Sequence, residues 1–465
     1  MPVEIDETEW LISAKKALDW MIEFITVPEW SRRRLAVVKY FRSINRQLEH
    51  GIDSDSSLGK KGFAPTAVYN DWMAWYMYLI ENIFERPFND EPWQKHRIAP
   101  FFALIGRYLD QLQKMPGFDA RAKSLLNPNN RNPDNTLYEI AVAISYHRNG
   151  WQVEFLLELS SIKTPDLRVT KGAQSYWVEC KRFAKVTDYA EKERQAWMER
   201  VNHLFIAMEQ IGEPVFAEVV FKVPLEEVEP VQLGGAFYAY MKRGIVKMGQ
   251  TLKHELLDLT VNPIDLKAIN KILDESPTRL GSPLMLQILT GNYDMHGQYT
   301  QRVAPVRFEV VFPDDELQVF NQFCSELKDA YLVKWECIAE KSLDLKFKDI
   351  RKRLSEAVSQ IPDEGEGIIH IGYETVSGPE VELKRHDSIN RTINSFDFAN
   401  KRVKAVYCNS FQLLSTAEGF EWAESTIFHE SGPTPILVDR SILDLPSEHW
   451  SDATHWEEDI ANRKI

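Results

Sequence analysis

Two carboxylates and one ammonium stand at a spacing that could hold a cation against a phosphate. They are Asp166, just after Pro165, then Glu179 and Lys181, with the acids thirteen residues apart. Thr164 to Val169 and Tyr176 to Arg182 read as two short strands. Successive side chains of a strand alternate faces, so Glu179 and Lys181 share one face while Val178 and Cys180 take the other. A hairpin that sets Asp166 beside Glu179 would bring the three charges to one spot. Oxygen donors suit a hard divalent cation, and such a cation can orient a water for attack on a phosphodiester.

The elements that would position this triple follow from local patterning. Asn127 to Asn135 is dense in turn formers and marks the clearest boundary in the chain. Thr136 to Asn149 reads as an amphipathic helix closed by Gly150. Trp151 to Leu159 alternates, with Val153, Phe155, Leu157 and Leu159 on one face of a strand. After the two charged strands come a helix, Asp188 to Gln210, and a strand, Val215 to Val223.

Upstream, residues 7 to 118 read as helices: a basic one from Glu29 to His50, an aromatic one from Thr66 to Phe84, and a third from Trp93 to Met115. Downstream, Leu284 to Leu289 and Val306 to Phe312 are strand candidates. Lys346 to Ile361 is a helix with an apolar stripe through Phe347, Ile350, Leu354, Val358 and Ile361. Gly367 to Gly372 is a buried strand, and Val403 to Cys408 and Ile436 to Asp439 are two more strand candidates.

Pro165-Asp166 followed by Glu179-Cys180-Lys181 resembles the PD-(D/E)XK nuclease superfamily, the restriction-endonuclease-like fold. The resemblance covers residues 135 to 185. It implies an α/β (α+β mixed) core sheet flanked by helices, and cleavage of DNA, or of RNA in some members, with Mg²⁺ or Mn²⁺ as substitute. It also implies roles. Asp166, Glu179 and the Cys180 backbone carbonyl would be metal ligands. Glu139, on the preceding helix, would reach the metal directly or through water. Lys181 would orient the attacking water or stabilise developing charge. For Lys181 to act as a base its pKa would have to fall, and burial beside a cation pushes that way.

Two continuations of the core fit the pattern. In one, Asp188 to Gln210 and Val215 to Val223 complete it directly. In the other, favoured here, it pauses after Phe183 and resumes at Lys346 to Ile361 and Gly367 to Gly372, where Ala357, Gln360 and Gly-Ile-Ile-His-Ile look like the helix and strand that follow in some relatives. The domain expectation is a helical region 1–130, a core 131–223, an insertion or second α/β region 224–340, and a C-terminal α/β region 341–465 able to complete the core.

Plainer readings stand beside these. Thr136-Leu137-Tyr138-Glu139 is also a capping box, which would fold Glu139 back on the helix start. Cys180 reads as a small core residue. Pro362-Asp363 with Glu382-Leu383-Lys384 repeats the motif, but Asp363 sits in a polar turn and Glu382 lacks an apolar run before it. Trp335-Glu336-Cys337 has Ile338 where the lysine belongs. The basic faces at Arg32–Arg46 and Lys346–Arg353 read first as solvated helix surface and second as DNA-backbone contacts. Trp72, Trp75, Tyr76 and Tyr78 read as helical core, and His449 and His455 as surface residues.

Composition sets outer limits. The chain has 465 residues, 44% hydrophobic and 27% charged, so two or three domains of ordinary globular composition are expected. A net charge of −14 argues against a broadly basic nucleic-acid coat but allows a local basic groove. Cys180, Cys324, Cys337 and Cys408 have no metal-finger or C-x-x-C spacing, consistent with a reducing, cytoplasmic setting. The first residues lack a signal-peptide pattern, and the most apolar window, Trp72 to Phe84, is interrupted by Glu81, so no membrane partner is expected. No Walker A motif is present. The expected partner is nucleic acid, DNA before RNA, with a partner protein or homodimer left open. The alternative is a restriction-like fold without catalysis that binds nucleic acid or protein.

Overall fold

The computed structural model describes residues 7–49, 70–89, 91–157, 164–183, 188–346, 349–375, 379–415, 420–445 and 450–451; His449 and His455 lie outside them. It is a mixed α/β protein.

The first helices are α1 (Glu7–Ile25), α2 (Val27–Glu49), α3 (Trp72–Glu85), α4 (Pro92–Arg107), α5 (Leu109–Leu112) and α6 (Phe118–Leu125). The single helix expected from Trp93 to Met115 is broken at Tyr108. After the turn-rich segment comes α7 (Pro133–Arg148), then β1 (Gln152–Phe155), β2 (Leu167–Lys171) and β3 (Gln174–Arg182). The next stretch holds α8 (Asp188–Ile211), β4 (Val215–Phe221), α9 (Pro230–Lys242), β5 (Thr251–Lys253), β6 (Leu257–Pro263), α10 (Leu266–Glu275), α11 (Pro283–Thr290), β7 (Gln298–Val310), β8 (Gln322–Cys337) and α12 (Glu340–Lys346). The chain continues through α13 (Asp349–Val358), β9 (Glu366–Glu374), α14 (Pro379–Asn394), β10 (Arg402–Ser415), β11 (Phe420–Glu430) and β12 (Trp450–Ser451).

Among the described residues two sheets form. The first has the order β1-β2-β3-β9-β10-β11-β12, the second β5-β6-β4-β8-β7. In the first, β1, β2 and β3 are antiparallel, and β3, β9 and β10 run parallel. The sheet that carries the charged hairpin is therefore completed by α13 and β9. Helix α8 and strand β4 do not complete it: β4 pairs with β6 and β8 in the second sheet. The expected core of 131–223 is corrected accordingly, with the insertion beginning at α8.

The two sheets have separate apolar cores. Trp197, Phe221, Trp335 and Val261 cluster within the second. Among the described residues, Met21, Trp75, Phe102, Ile144, Val178 and Tyr407 belong to one continuous cluster, so helices α1 to α6 form a layer on the first sheet rather than a domain with its own core. Helix α7 lies close on that sheet. A Cβ added at Gly372 of β9 would stand 2.7 Å from the Tyr138 ring, and the Tyr138 hydroxyl donates to Asn409 Oδ1 of β10 at 2.7 Å. The segment between β7 and β8 ties the insertion to the helices: Asn89 Oδ1 accepts from the Val319 and Phe320 backbones, and Phe320 packs on Trp75.

Two strand expectations fail. Leu284 to Leu289 is part of helix α11, because Ser282 caps it by accepting from Met285 N, Pro283 opens its first turn and Gly291 closes it left-handed. Ile436 to Asp439 forms no strand; Leu437 is buried but Val438 is 80% exposed, and no neighbouring strand edge pairs with them.

Candidate active site

The β2–β3 hairpin turns through Gly172, whose φ of 60° suits the first central position of a tight hairpin loop. Its register pairs Leu167 with Val178, so the next step brings Asp166 alongside Glu179. Asp166 Oδ2 accepts the Cys180 backbone N–H at 2.8 Å, which fixes the carboxylate against β3. Asp166 is 6% exposed and Glu179 fully buried. The hairpin thus sets the two acids at facing register positions.

A carboxylate taken out of water needs a partner charge. Glu179 has Lys181, with Nζ 2.5 Å from Oε1. Lys181 also donates to Gln360 Oε1, and the Gln360 amide reaches the Thr164 carbonyl at 3.4 Å, so a residue just after α13 ties β3 to the segment that carries Asp166 into β2. Burial pulls the Lys181 pKa down, but Glu179 and then Asp166 outweigh it and the net shift is upward. The depressed pKa that base action would need is not produced by the protein's own groups, which favour the ammonium.

Glu139 does not cap its helix. Helix α7 begins at Pro133, a turn earlier than the capping box requires, with Asn132 at the N-cap and no side-chain cap bond. Glu139 instead meets Arg121 of α6, Nη1 to Oε2 at 2.8 Å. The other end of that guanidinium lies 3.9 Å from Asp166 Oδ1 and donates to the Leu156 carbonyl at 3.2 Å. Arg121 is the site residue that sequence reading missed. It lies in a short helix well before the motif, and nothing in its surroundings distinguishes it from a surface arginine.

Cys180 is a buried core residue. Burial raises its thiol pKa well above the usual range, and the charges of Asp166, Glu139 and Glu179 raise it further. Three carboxylates and two cations thus surround one strand residue. Glu139 comes from α7, and Lys181 beside Glu179 is tied to Gln360 after α13, so the charges reach β3 from two helices. Among the described residues no three acidic, cysteine or histidine side chains are grouped to hold a metal ion.

The rival sites are structural. Asp363 is 84% exposed in its turn and pairs with Lys401, and Glu382 lies on α14 against Arg385. Glu336 is in β8 of the second sheet. On α2, Arg33 pairs with Asp71 and Arg34 with Glu81, and Arg42 donates to the Gln318 carbonyl. Much of that basic face is spent inside the protein. On α13, Arg351 and Lys352 are exposed. Trp75, Tyr76 and Tyr78 are core, and Trp72 is partly buried against it.

No family model matches this chain, and no similar protein was found among curated proteins or solved structures. No described helix is long and apolar enough to cross a membrane.

Proposed function

We propose that the protein is a metal-dependent nuclease acting on phosphodiester bonds, with DNA favoured over RNA as substrate. The observation that carries this reading is the charged cluster at the hairpin: Asp166 beside a fully buried Glu179, itself paired with Lys181. Burying charge costs several kcal/mol per ion, and an apolar cluster of the same volume is often as stable. A hairpin with only a structural role has no need of the arrangement.

Asp166, Glu179 and the Cys180 backbone carbonyl offer the hard oxygen donors that Mg²⁺ or Mn²⁺ prefers. When bound there, the cation would supply charge neutralisation at the phosphate and a site at which the attacking water is held. Glu139 would reach that position through water, since Arg121 engages it directly. Lys181, as an ammonium, orients the attacking water and meets charge developing on the phosphoryl oxygens. Gln360 holds Lys181 in place.

A second reading is supported by the cations already present. Arg121 and Lys181 neutralise the acids without a metal, and no ready three-ligand group exists among the described residues. This suits a fold that has given up catalysis and binds nucleic acid or a partner protein. The two are separated by incubating the protein with linear, circular and single-stranded DNA and with RNA, in Mg²⁺, Mn²⁺ or EDTA. The nuclease reading expects cleavage with either metal and none in EDTA. Gel retardation without cleavage on any substrate establishes the binding module.

A further inference from the structure

Strand β7 lies at one edge of the second sheet, and among the described residues no strand pairs with its outer side. From Pro305 to Val310 every residue is exposed. Side chains alternate, so Val306, Phe308 and Val310 share one face while Arg307 and Glu309 take the other. The three apolar side chains are 37–59% exposed. Just past the strand, the Phe312 ring lies 6.1 Å from that of Phe88, and both residues are exposed, so the apolar row continues beyond it. An exposed apolar edge of this kind is a template for another strand.

The backbone at this edge points outward. Val311 N–H donates to the Asn321 carbonyl at 3.0 Å, which turns Val311 toward β8. Backbone groups along an antiparallel strand face alternate sides, so Val310 faces away from β8. Phe308 does the same: Cys324, opposite it in the ladder, exchanges its backbone bonds with Thr278 on the other side, at 2.8 and 2.9 Å. Pro305 has no N–H and sits in a bulged stretch, so the open edge begins after it.

The five residues that remain, Val306-Arg307-Phe308-Glu309-Val310, are self-complementary. Turned antiparallel on a copy of itself about Phe308, the segment sets Val306 against Val310, Phe308 against Phe308 and Arg307 against Glu309. A two-fold axis repeats each contact. Apolar and opposite-charge pairs directly across a ladder are the ones that stabilise it. Arg307 also pairs with Asp274 of α10, but both are exposed and such a pair contributes little, so Arg307 stays able to meet an acid on a second strand.

We propose that β7 pairs with β7 of a second copy of this chain, antiparallel and centred on Phe308, joining the five-stranded sheets of two copies into one. The opposite edge strand, β5, is only three residues long, so assembly closes at two copies. A five-residue ladder falls short of the roughly 800 Å² per partner of a stable interface, so the dimer forms at micromolar concentration.

Sedimentation equilibrium of the full chain from about 1 to about 300 µM tests this in wild type, Arg307→Glu, Glu309→Arg and the double swap. All the substituted residues are exposed, and far-UV circular dichroism verifies each fold. The weight-average mass of wild type should rise with concentration from 54 kDa toward twice that. Each single substitution sets like charges opposite one another and should raise the dissociation constant about tenfold or more. The double swap, and an equimolar mixture of the two single variants, both restore opposite charges across the ladder and should associate as wild type does. Wild type that stays monomeric overturns the proposal and leaves the edge to an extended segment of another protein. Growth beyond two copies, single variants that dimerise as wild type does, or a swap and a mixture that fail to recover association also overturn it. None of these residues belongs to the acid cluster, so this inference and the nuclease reading can fail independently.

Discussion

Replacing Lys181 with alanine is expected to lower the single-turnover cleavage rate by roughly 10²- to 10³-fold, the usual loss when one preorganised donor to a developing charge is removed. Lys181 has two roles, and the variant removes both. It neutralises the fully buried Glu179, and it presents an ammonium at the edge of the acid cluster. Loss of the first lowers stability, so rates should be compared at a temperature where circular dichroism finds both proteins folded. Because Glu179 and Asp166 hold the Lys181 pKa above its usual value, the ammonium persists through neutral pH. A variant within tenfold of wild type would remove Lys181 from the chemistry.

The largest effect on stability is expected at Arg97. Its guanidinium bonds Asp134 and Glu374, all three side chains being no more than 13% exposed, and the Tyr76 hydroxyl joins through Asp134. This knot ties α4 and α7 to the end of β9. Arg97→Met preserves most of the side-chain volume but strands buried carboxylates, which costs on the order of 3–5 kcal/mol. Burial by itself would raise the Glu374 pKa, but Arg97 and Arg182 outweigh it and hold it at about 2, below its usual 4.5. A carboxylate with a depressed folded pKa stabilises above its unfolded value, and that contribution is lost as pH falls. Wild-type stability should therefore decline from about pH 4.5 toward 2 through this group, and the variant should show a shallower decline. Urea unfolding at pH 7 and across that acid range checks both. A loss below about 1 kcal/mol at pH 7 would mean the knot contributes little net stability.

The parts of the fold legible in sequence were those fixed by neighbours along the chain. Alternation around Val153 set the first strand, and the short runs Thr164–Val169 and Tyr176–Arg182 read as the two strands of the charged hairpin. The apolar stripe of α13 and the run Ile368–Ile371 marked the return to the first sheet, although only the pairing of β3 with β9 establishes it. Other features depended on partners distant in sequence. Helix α11 carried its own helix signals in Ser282, Pro283 and Gly291, but its apolar run outweighed them in the reading. The capping box at Thr136 was matched on residue types, while Pro133 starts the helix earlier. Arg121 meets Glu139, and Arg97 and Arg182 meet Glu374, across gaps that no local pattern spans. Charge pairing of this kind is set by tertiary approach, so the acids and Lys181, two residues along from Glu179, stood out in the sequence while the arginines did not.

The central claim is that Asp166 and Glu179 hold a divalent cation. Isothermal titration of wild type and Asp166→Asn with Mn²⁺, in the absence of nucleic acid, tests it most directly. The account predicts saturable binding to wild type and at least tenfold weaker binding to Asp166→Asn, which removes one anionic ligand and retains an oxygen that can accept the Cys180 N–H. Wild type that takes up no Mn²⁺ at millimolar concentrations, or a variant that binds it equally well, would contradict the claim and leave these acids as partners of Arg121 and Lys181.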